Sequence, residues 1–143
     1  MFKNAVVIDS NFILLPFQFK IDYFNEINLM LEGKTCFIIY KQILDELEAK
    51  SRRHLKTTKF QLELNSSLRY IDSNQERFNI KIINKVKSEF VTTDAFLIKQ
   101  CIDLKEKEWR VFLATNDSKL RKEVNRLGIS TIFLRQKKYL TFD

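Results

Sequence analysis

Four acidic residues stand where an α/β chain gathers its chemistry. Asp9 directly follows the apolar run Val6-Val7-Ile8 and opens Asp9-Ser10-Asn11. Glu46 lies in Asp45-Glu46-Leu47-Glu48, shortly after Cys36-Phe37-Ile38-Ile39-Tyr40. Asp94 closes Thr92-Thr93-Asp94 at the start of a helical pattern, and Asp117 closes Thr115-Asn116-Asp117 after Val111-Phe112-Leu113-Ala114. Taken singly, Asp94 and Asp117 read as helix-start residues that complement the N-terminal dipole, and Glu46 reads as an exposed helix acid. Asp9 is different, because an acid right after a buried strand is partly desolvated. If all four share one edge they repel, and some stay protonated unless a counter-charge is present. A hard divalent cation supplies that charge, and Mg²⁺ or Mn²⁺ prefer carboxylate and water oxygens. His54 is the only histidine and no cysteine is near, so the pattern does not suit zinc.

The elements that would position these acids are legible from hydrophobic patterning. Ala5–Ile8, Cys36–Tyr40, Ile80–Ile83, Val111–Ala114 and Ile129–Leu134 are short, largely apolar runs, read as strands buried on both faces of a parallel sheet. Helical patterns lie between them: from Pro16 to Leu31, ended by Gly33; from about Lys41 through Leu55; over Phe60–Ile71; from Ala95 to Leu104; and a basic one from Ser118 to Leu127, ended by Gly128. In such sheets ligands bind outside the carboxyl ends of the strands, which is where the acids fall. Within the helix after the second strand, Ile43, Leu44 and Leu47 set the apolar stripe. At about 100° per residue, Asp45 points nearly opposite that stripe and Glu46 and Glu48 flank it. Glu46 is preferred because it is nearer the helix start.

Composition narrows the class further. The chain has 143 residues, a net charge of +7, 2 glycines, 1 proline and 2 cysteines. That length fits one domain, residues 1–143, with one core. Two thiols make no disulfide framework, and a reducing cytoplasm is the expected setting. No signal peptide or membrane-spanning run is visible. The charge is uneven: residues 1–49 hold 4 basic and 7 acidic side chains, a net of −3, and residues 50–143 hold 21 basic and 11 acidic, a net of +10. A surplus of that size points to an anionic partner such as nucleic acid, against the plainer reading of a solvated lysine-rich surface.

An oxygen-ligated cation beside a basic surface suits phosphodiester hydrolysis, in which bound metal generates a nucleophilic water and stabilises charge on the phosphate. Ser10 has no histidine close in sequence, so a serine triad has little support. No glycine-rich phosphate loop is present, which argues against NTPase and dinucleotide chemistry.

The four segments resemble the motifs of PIN-domain ribonucleases. Val6-Val7-Ile8-Asp9-Ser10-Asn11 resembles their opening strand motif, with Ser10 in place of the usual threonine. Ile43-Leu44-Asp45-Glu46-Leu47-Glu48 resembles the second motif, and Ala114-Thr115-Asn116-Asp117-Ser118-Lys119-Leu120-Arg121 the fourth. Thr93-Asp94 resembles the third, where the family often has a paired acid. Asn11–Phe19 and Leu134–Leu140 look like the archaeal single-domain group, which is similar to the eukaryotic PIN nucleases of small-subunit rRNA processing and to VapC-type toxins. The resemblance implies a three-layer α/β/α sandwich around a parallel five-stranded sheet in the order 3-2-1-4-5. It implies Asp9, Glu46, Asp94 and Asp117 as catalytic, metal-binding acids for one or two Mg²⁺ or Mn²⁺ ions. Ser10, Asn11, Thr115 and Asn116 would orient carboxylates or metal-bound water. The activity implied is metal-dependent cleavage of single-stranded or structured RNA, pre-rRNA included, in rRNA maturation or RNA quality control. Two readings stand beside it: the toxin of a toxin–antitoxin pair, with an antitoxin partner, and a non-catalytic RNA- or ribosome-binding scaffold. A homodimer is a further expectation from the family.

For the RNA path the basic clusters are Lys50, Arg52, Arg53 and Lys56; Lys119, Arg121, Lys122 and Arg126; and Arg135, Lys137 and Lys138. Arg52, Arg53, Lys119, Arg121, Lys122 and Arg135 are the leading phosphate contacts. Tyr139 and Phe142 are candidates for base stacking, with packing the plainer role. His54 reads as an exposed helix residue.

Overall fold

Residues 3–53 and 58–143 are described by the computed structural model; His54 and Lys56 lie outside the described residues. The first strand, β1 (Lys3–Ile8), is buried from Asn4 onward, as its unbroken apolar run requires. Three short helices follow: α1 (Ser10–Ile13), α2 (Leu15–Phe19) and α3 (Tyr23–Met30). Next come β2 (Lys34–Tyr40), α4 (Lys41–Arg53), α5 (Thr58–Asn74) and β3 (Asn79–Ile83). The remainder is α6 (Thr93–Glu106), β4 (Arg110–Ala114), α7 (Ser118–Arg126), β5 (Ser130–Arg135) and β6 (Tyr139–Phe142).

The strands form one sheet in the order β3-β2-β1-β4-β5-β6, parallel from β3 to β5, with β6 antiparallel on β5. The order 3-2-1-4-5 expected for the parallel strands is the one found, and β6 makes a sixth. From β1 the chain moves to β2 and β3, then returns to β4 and β5 on the other side. Right-handed crossovers therefore put the helices of the first half on one face and α6 and α7 on the other. The order reverses between β1 and β4, the place where open α/β sheets form a crevice. The β1–β4 register ends with Ile8 opposite Ala114, so the chains leave the sheet together as Asp9 and Thr115.

Two expectations differ from the structure, and β6 is an element they did not include. The helix expected from Pro16 to Leu31 is broken: Lys20 takes a left-handed conformation at φ 56 and ends α2. The break lets Ile21, Tyr23, Phe24 and Ile27 all reach the core, while Asp22 accepts a hydrogen bond of 2.6 Å from the Tyr70 hydroxyl. Strand β3 is not buried on both faces, because it is the sheet edge, and Ile82 is 45% exposed. Strand β6 has no clear sequence signal: the turn leading into it puts Gln136 and Lys137 at φ 53 and 57, a geometry usually marked by Asn or Gly. Cys36 and Cys101 are buried free thiols, and among the described residues no helix is long and apolar enough to cross a membrane.

On the α1–α5 face an aromatic cluster fills the space over β2. Tyr23 packs edge-on against Phe12 and Tyr70, and Phe24 stacks on Tyr70 and meets Phe37 edge-on. The Tyr70 hydroxyl also accepts from the Phe24 N–H at 3.1 Å. The Tyr23 hydroxyl is buried with no hydrogen-bond partner. Tyr23→Phe should therefore raise unfolding stability by about 1 kcal/mol, and Tyr70→Phe should lower it by about 1–2 kcal/mol. Urea unfolding of the two variants checks the pair; a loss of stability in Tyr23→Phe would refute it.

Candidate active site

The carboxyl edge of the β1–β4 crevice is held by one compact network. Asp9 caps α1 and is only 6% exposed; its Oδ1 accepts from the Ser10 N–H at 2.7 Å. Its Oδ2 accepts from the Thr115 hydroxyl at 2.8 Å and from the Asn11 side-chain amide at 3.2 Å. Thr115 is fully buried, and its Oγ1 also accepts from the Asp117 N–H at 3.1 Å. Asn11 spans the crevice, with its Oδ1 accepting from the Asn116 N–H at 3.0 Å. The loops after β1 and β4 are thus cross-braced, and Asp9 is fixed from three sides.

Burial pushes the Asp9 carboxyl above its ordinary value; the Thr115 and Ser10 hydrogen bonds pull it down, and the charges of Asp94 and Asp117 push it up further. Asp94, in the first turn of α6, is also raised, by desolvation first and then by Asp117 and Glu123, with Lys119 opposing. The three aspartates therefore share one electrostatic neighbourhood. Asp117 also has the structural role read for it in isolation: it caps α7, with Oδ1 accepting from the N–H groups of Lys119 at 3.0 Å and Leu120 at 3.2 Å. The cap of α6 is not Asp94 but Thr92, whose hydroxyl oxygen accepts from the Ala95 N–H at 3.1 Å.

Glu46 reaches the same edge from α4. Its Oε1 accepts from the Thr93 hydroxyl at 2.6 Å, and its Oε2 is buried without a hydrogen-bond partner among the described residues. Asp45 is engaged elsewhere, in a 2.8 Å ion pair with Lys41 on the solvent side of α4, and Glu48 is exposed. Thr93 is the contact that sequence reasoning missed. Its position before Asp94 was read only as a missing second acid.

Among the described residues no group of three or more His, Cys, Asp or Glu side chains stands ready to hold a metal ion. The donor set nevertheless has the right chemistry for a hard divalent cation. All donors are carboxylate oxygens, the aspartates repel one another, and a buried carboxylate oxygen on Glu46 lacks a partner.

The remaining expectations divide. Ser10 contributes its backbone N–H to Asp9. The Asn116 side chain turns away, accepting from the Leu134 N–H of β5 at 2.9 Å, so its bond ties the loop to the sheet. Lys119 and Lys122 are exposed on α7, with Lys119 near Asp94. Arg121 lies over the Phe133 ring at 3.7 Å with its Nε buried. Arg52 and Arg53 are exposed in the last turn of α4, about 10 Å along the helix from Glu46. Arg135 is exposed at the end of β5. Phe142 packs edge-on against Phe112 and Tyr139 is exposed.

The fold has counterparts among known proteins. Residues 6–137 match a family model described as a PIN like domain. The chain is 27% identical over 134 residues to Ribonuclease VapC4 of Methanocaldococcus jannaschii, covering 94% of this chain and 92% of that protein. Its fold is similar to that of the PIN domain endonuclease Utp24, with a TM-score of 0.69 and 21% identity, over 97% of this chain and 90% of that one. A domain of a functionally unknown protein from Methanocaldococcus jannaschii DSM 2661 superposes with a TM-score of 0.63 and 17% identity, over 92% of this chain and 91% of that one.

The network makes Thr115 its most connected hydroxyl. Thr115→Val should cost about 1–3 kcal/mol, because Asp9 Oδ2 and the Asp117 N–H each lose a buried partner. Thr115→Ser should retain most of the wild-type stability. Denaturant midpoints in chelator measure both, and a valine variant as stable as wild type would contradict the network.

Proposed function

This chain belongs to the PIN-like domain family, and we propose that it is a divalent-metal-dependent endoribonuclease that hydrolyses phosphodiester bonds of single-stranded RNA. The observation that carries this reading is the convergence of Asp9, Asp94 and Asp117 in one electrostatic neighbourhood, with Glu46 presenting an unpartnered buried oxygen. The likeness to Ribonuclease VapC4 over most of both chains supports it. We take residues 1–143 to act as one PIN-like unit.

Asp9, Glu46, Asp94 and Asp117 would hold Mg²⁺ or Mn²⁺. When bound, such a cation supplies an acidified water and neutralises charge on the phosphate. Thr115 and Asn11 hold Asp9 in place, and Thr93 holds Glu46. Lys119, beside Asp94, offers positive charge to the RNA backbone. In the hydrolysis itself a water oxygen joins phosphorus and the bond from phosphorus to the leaving ribose oxygen breaks. We take its biological setting to be RNA maturation, rRNA included, or RNA quality control. The likeness to Ribonuclease VapC4 favours a second reading as a toxin, for which growth arrest relieved by a neighbouring antitoxin gene is the test.

Cleavage of a single-stranded RNA with Mn²⁺, with Mg²⁺ and with chelator tests the activity. Asp9→Asn and Asp117→Asn should lower the rate by at least about 100-fold, Glu46→Gln should lose metal affinity, and Asp45→Asn should behave as wild type. Full activity in Asp9→Asn would remove the assignment.

Metal binding can be read without RNA. Protons compete for carboxylates whose affinity for them is raised, as at Asp9 and Asp94. Mn²⁺ should therefore raise the melting temperature at pH 7 and have little effect near pH 4. Thr93→Val should weaken Mn²⁺ affinity by about 10–100-fold and Thr93→Ser should preserve it, both read by calorimetric titration. Equal affinity in the valine variant would show that Thr93 does not position Glu46.

A further inference from the structure

A groove of about 460 Å³ opens between α6 and α7 beside Asp94. It is within the size range of small-ligand sites, about 300–1,000 Å³. Its floor is apolar, made by Ala95, Ile98 and Ile102 of α6. Lys99 of α6 and Lys119 and Glu123 of α7 form the walls. Helical spacing explains the arrangement: Asp94, Ile98 and Ile102 repeat every four residues on one stripe of α6, and Lys119 and Glu123 do so on α7. Among the described residues, Lys99, Lys119 and Glu123 enter no ion pair. Asp94 itself lines the groove with Lys119 and Glu123, so the groove and the acid site are continuous.

We propose that this groove is a base-binding subsite for the nucleotide flanking the bond that is cut, and that Glu123 selects guanine there. The proposal rests on the ribonuclease reading above. An apolar floor between cationic walls matches a nucleotide of single-stranded RNA, whose base presents a flat apolar face and whose backbone carries the charge. Lys99 and Lys119 are the phosphate partners, and they set position without reading sequence. Glu123 is the sequence reader. An ionised carboxylate is acceptor-only, with two oxygens side by side. Guanine carries two adjacent N–H donors on one edge, N1–H and the N2 amino group, and can satisfy both oxygens. Adenine, cytosine and uracil each bring only one donor group to such an edge, with acceptors beside it that the carboxylate repels.

Two measurements on the full chain test this. The ends left by Mn²⁺-dependent cleavage of a random-sequence RNA should show cuts enriched about ten-fold beside guanine. Glu123→Gln should move the preference toward adenine, because a side-chain amide pairs bidentately with adenine. Glu123 is exposed, so this substitution leaves the core intact. In chelator, 5′-guanosine monophosphate should shift the amide resonances of α6 and α7 in wild type, more strongly than 5′-uridine monophosphate. A cut profile with no guanine preference, or one that Glu123→Gln leaves unchanged, overturns the proposal. The two readings fail separately. Guanosine monophosphate seated on α6 and α7 by a chain that cleaves nothing keeps the groove and removes the ribonuclease reading. Cleavage with no base preference does the reverse.

Discussion

The constraint on which the rest depends is the register of β1 against β4. Ile8 pairs with Ala114 as the last rung, so Asp9 and Thr115 leave the sheet side by side. A carboxylate placed there is largely cut off from water, and desolvation alone would favour its neutral form. Two donors oppose that tendency, the Thr115 hydroxyl and the Ser10 N–H, and the Asn11 amide holds the same carboxylate in place. A one-residue slip between β1 and β4 would separate Asp9 from Thr115 and reverse which faces their neighbours present. Ala5–Ile8 and Val111–Ala114 are apolar at every position, so side-chain size and the hydrogen bonds beyond Ile8 and Ala114 hold the register. Core packing and site geometry are therefore one constraint.

That constraint concentrates like charges, and the fold tolerates them by giving some a second role. Asp117 is both a neighbour of Asp9 and the cap of α7, where its carboxylate takes two N–H groups of the first turn. Glu46 has one oxygen on the Thr93 hydroxyl and the other without a partner. That free oxygen is what makes Glu46 a candidate ligand rather than a fully satisfied structural acid.

Much of this was legible in the order of residue types. Long apolar runs announced β1, β2 and β4, since a strand buried on both faces leaves no other pattern. The choice of Glu46 over Asp45 followed from turning 100° per residue about α4, and the Lys41–Asp45 pair lies on the side that arithmetic assigned to solvent. What escaped depends on neighbours distant in sequence. Lys20 breaks a helix because Ile21 and Phe24 are drawn into the core, not because lysine prefers a left-handed backbone. Strand β6 is four residues entered by a turn without Gly or Asn. Arg121 looked like one more cation in a basic cluster, and only the placement of Phe133 on β5 sets it over an aromatic ring. Thr93 looked like the absence of an acid, and its contact with Glu46 exists only once α4 and α6 meet across the edge.

Helix α7 shows how closely a short element can be used. Leu120 and Val124, four apart, are buried. Arg121 covers Phe133, and Lys122 and Arg126 face solvent. Lys119 and Glu123, again four apart, turn toward α6 and the groove beside Asp94. Nine residues at 3.6 per turn cannot serve these faces unless the helix starts at a defined residue. Asp117 sets that start by taking the N–H groups of Lys119 and Leu120. A shift of the helix by one residue would rotate it by about 100°, carrying Glu123 away from the groove and exposing Leu120. The carboxylate that stands among the candidate metal ligands is thus also the group that fixes the rotation of the groove's second wall.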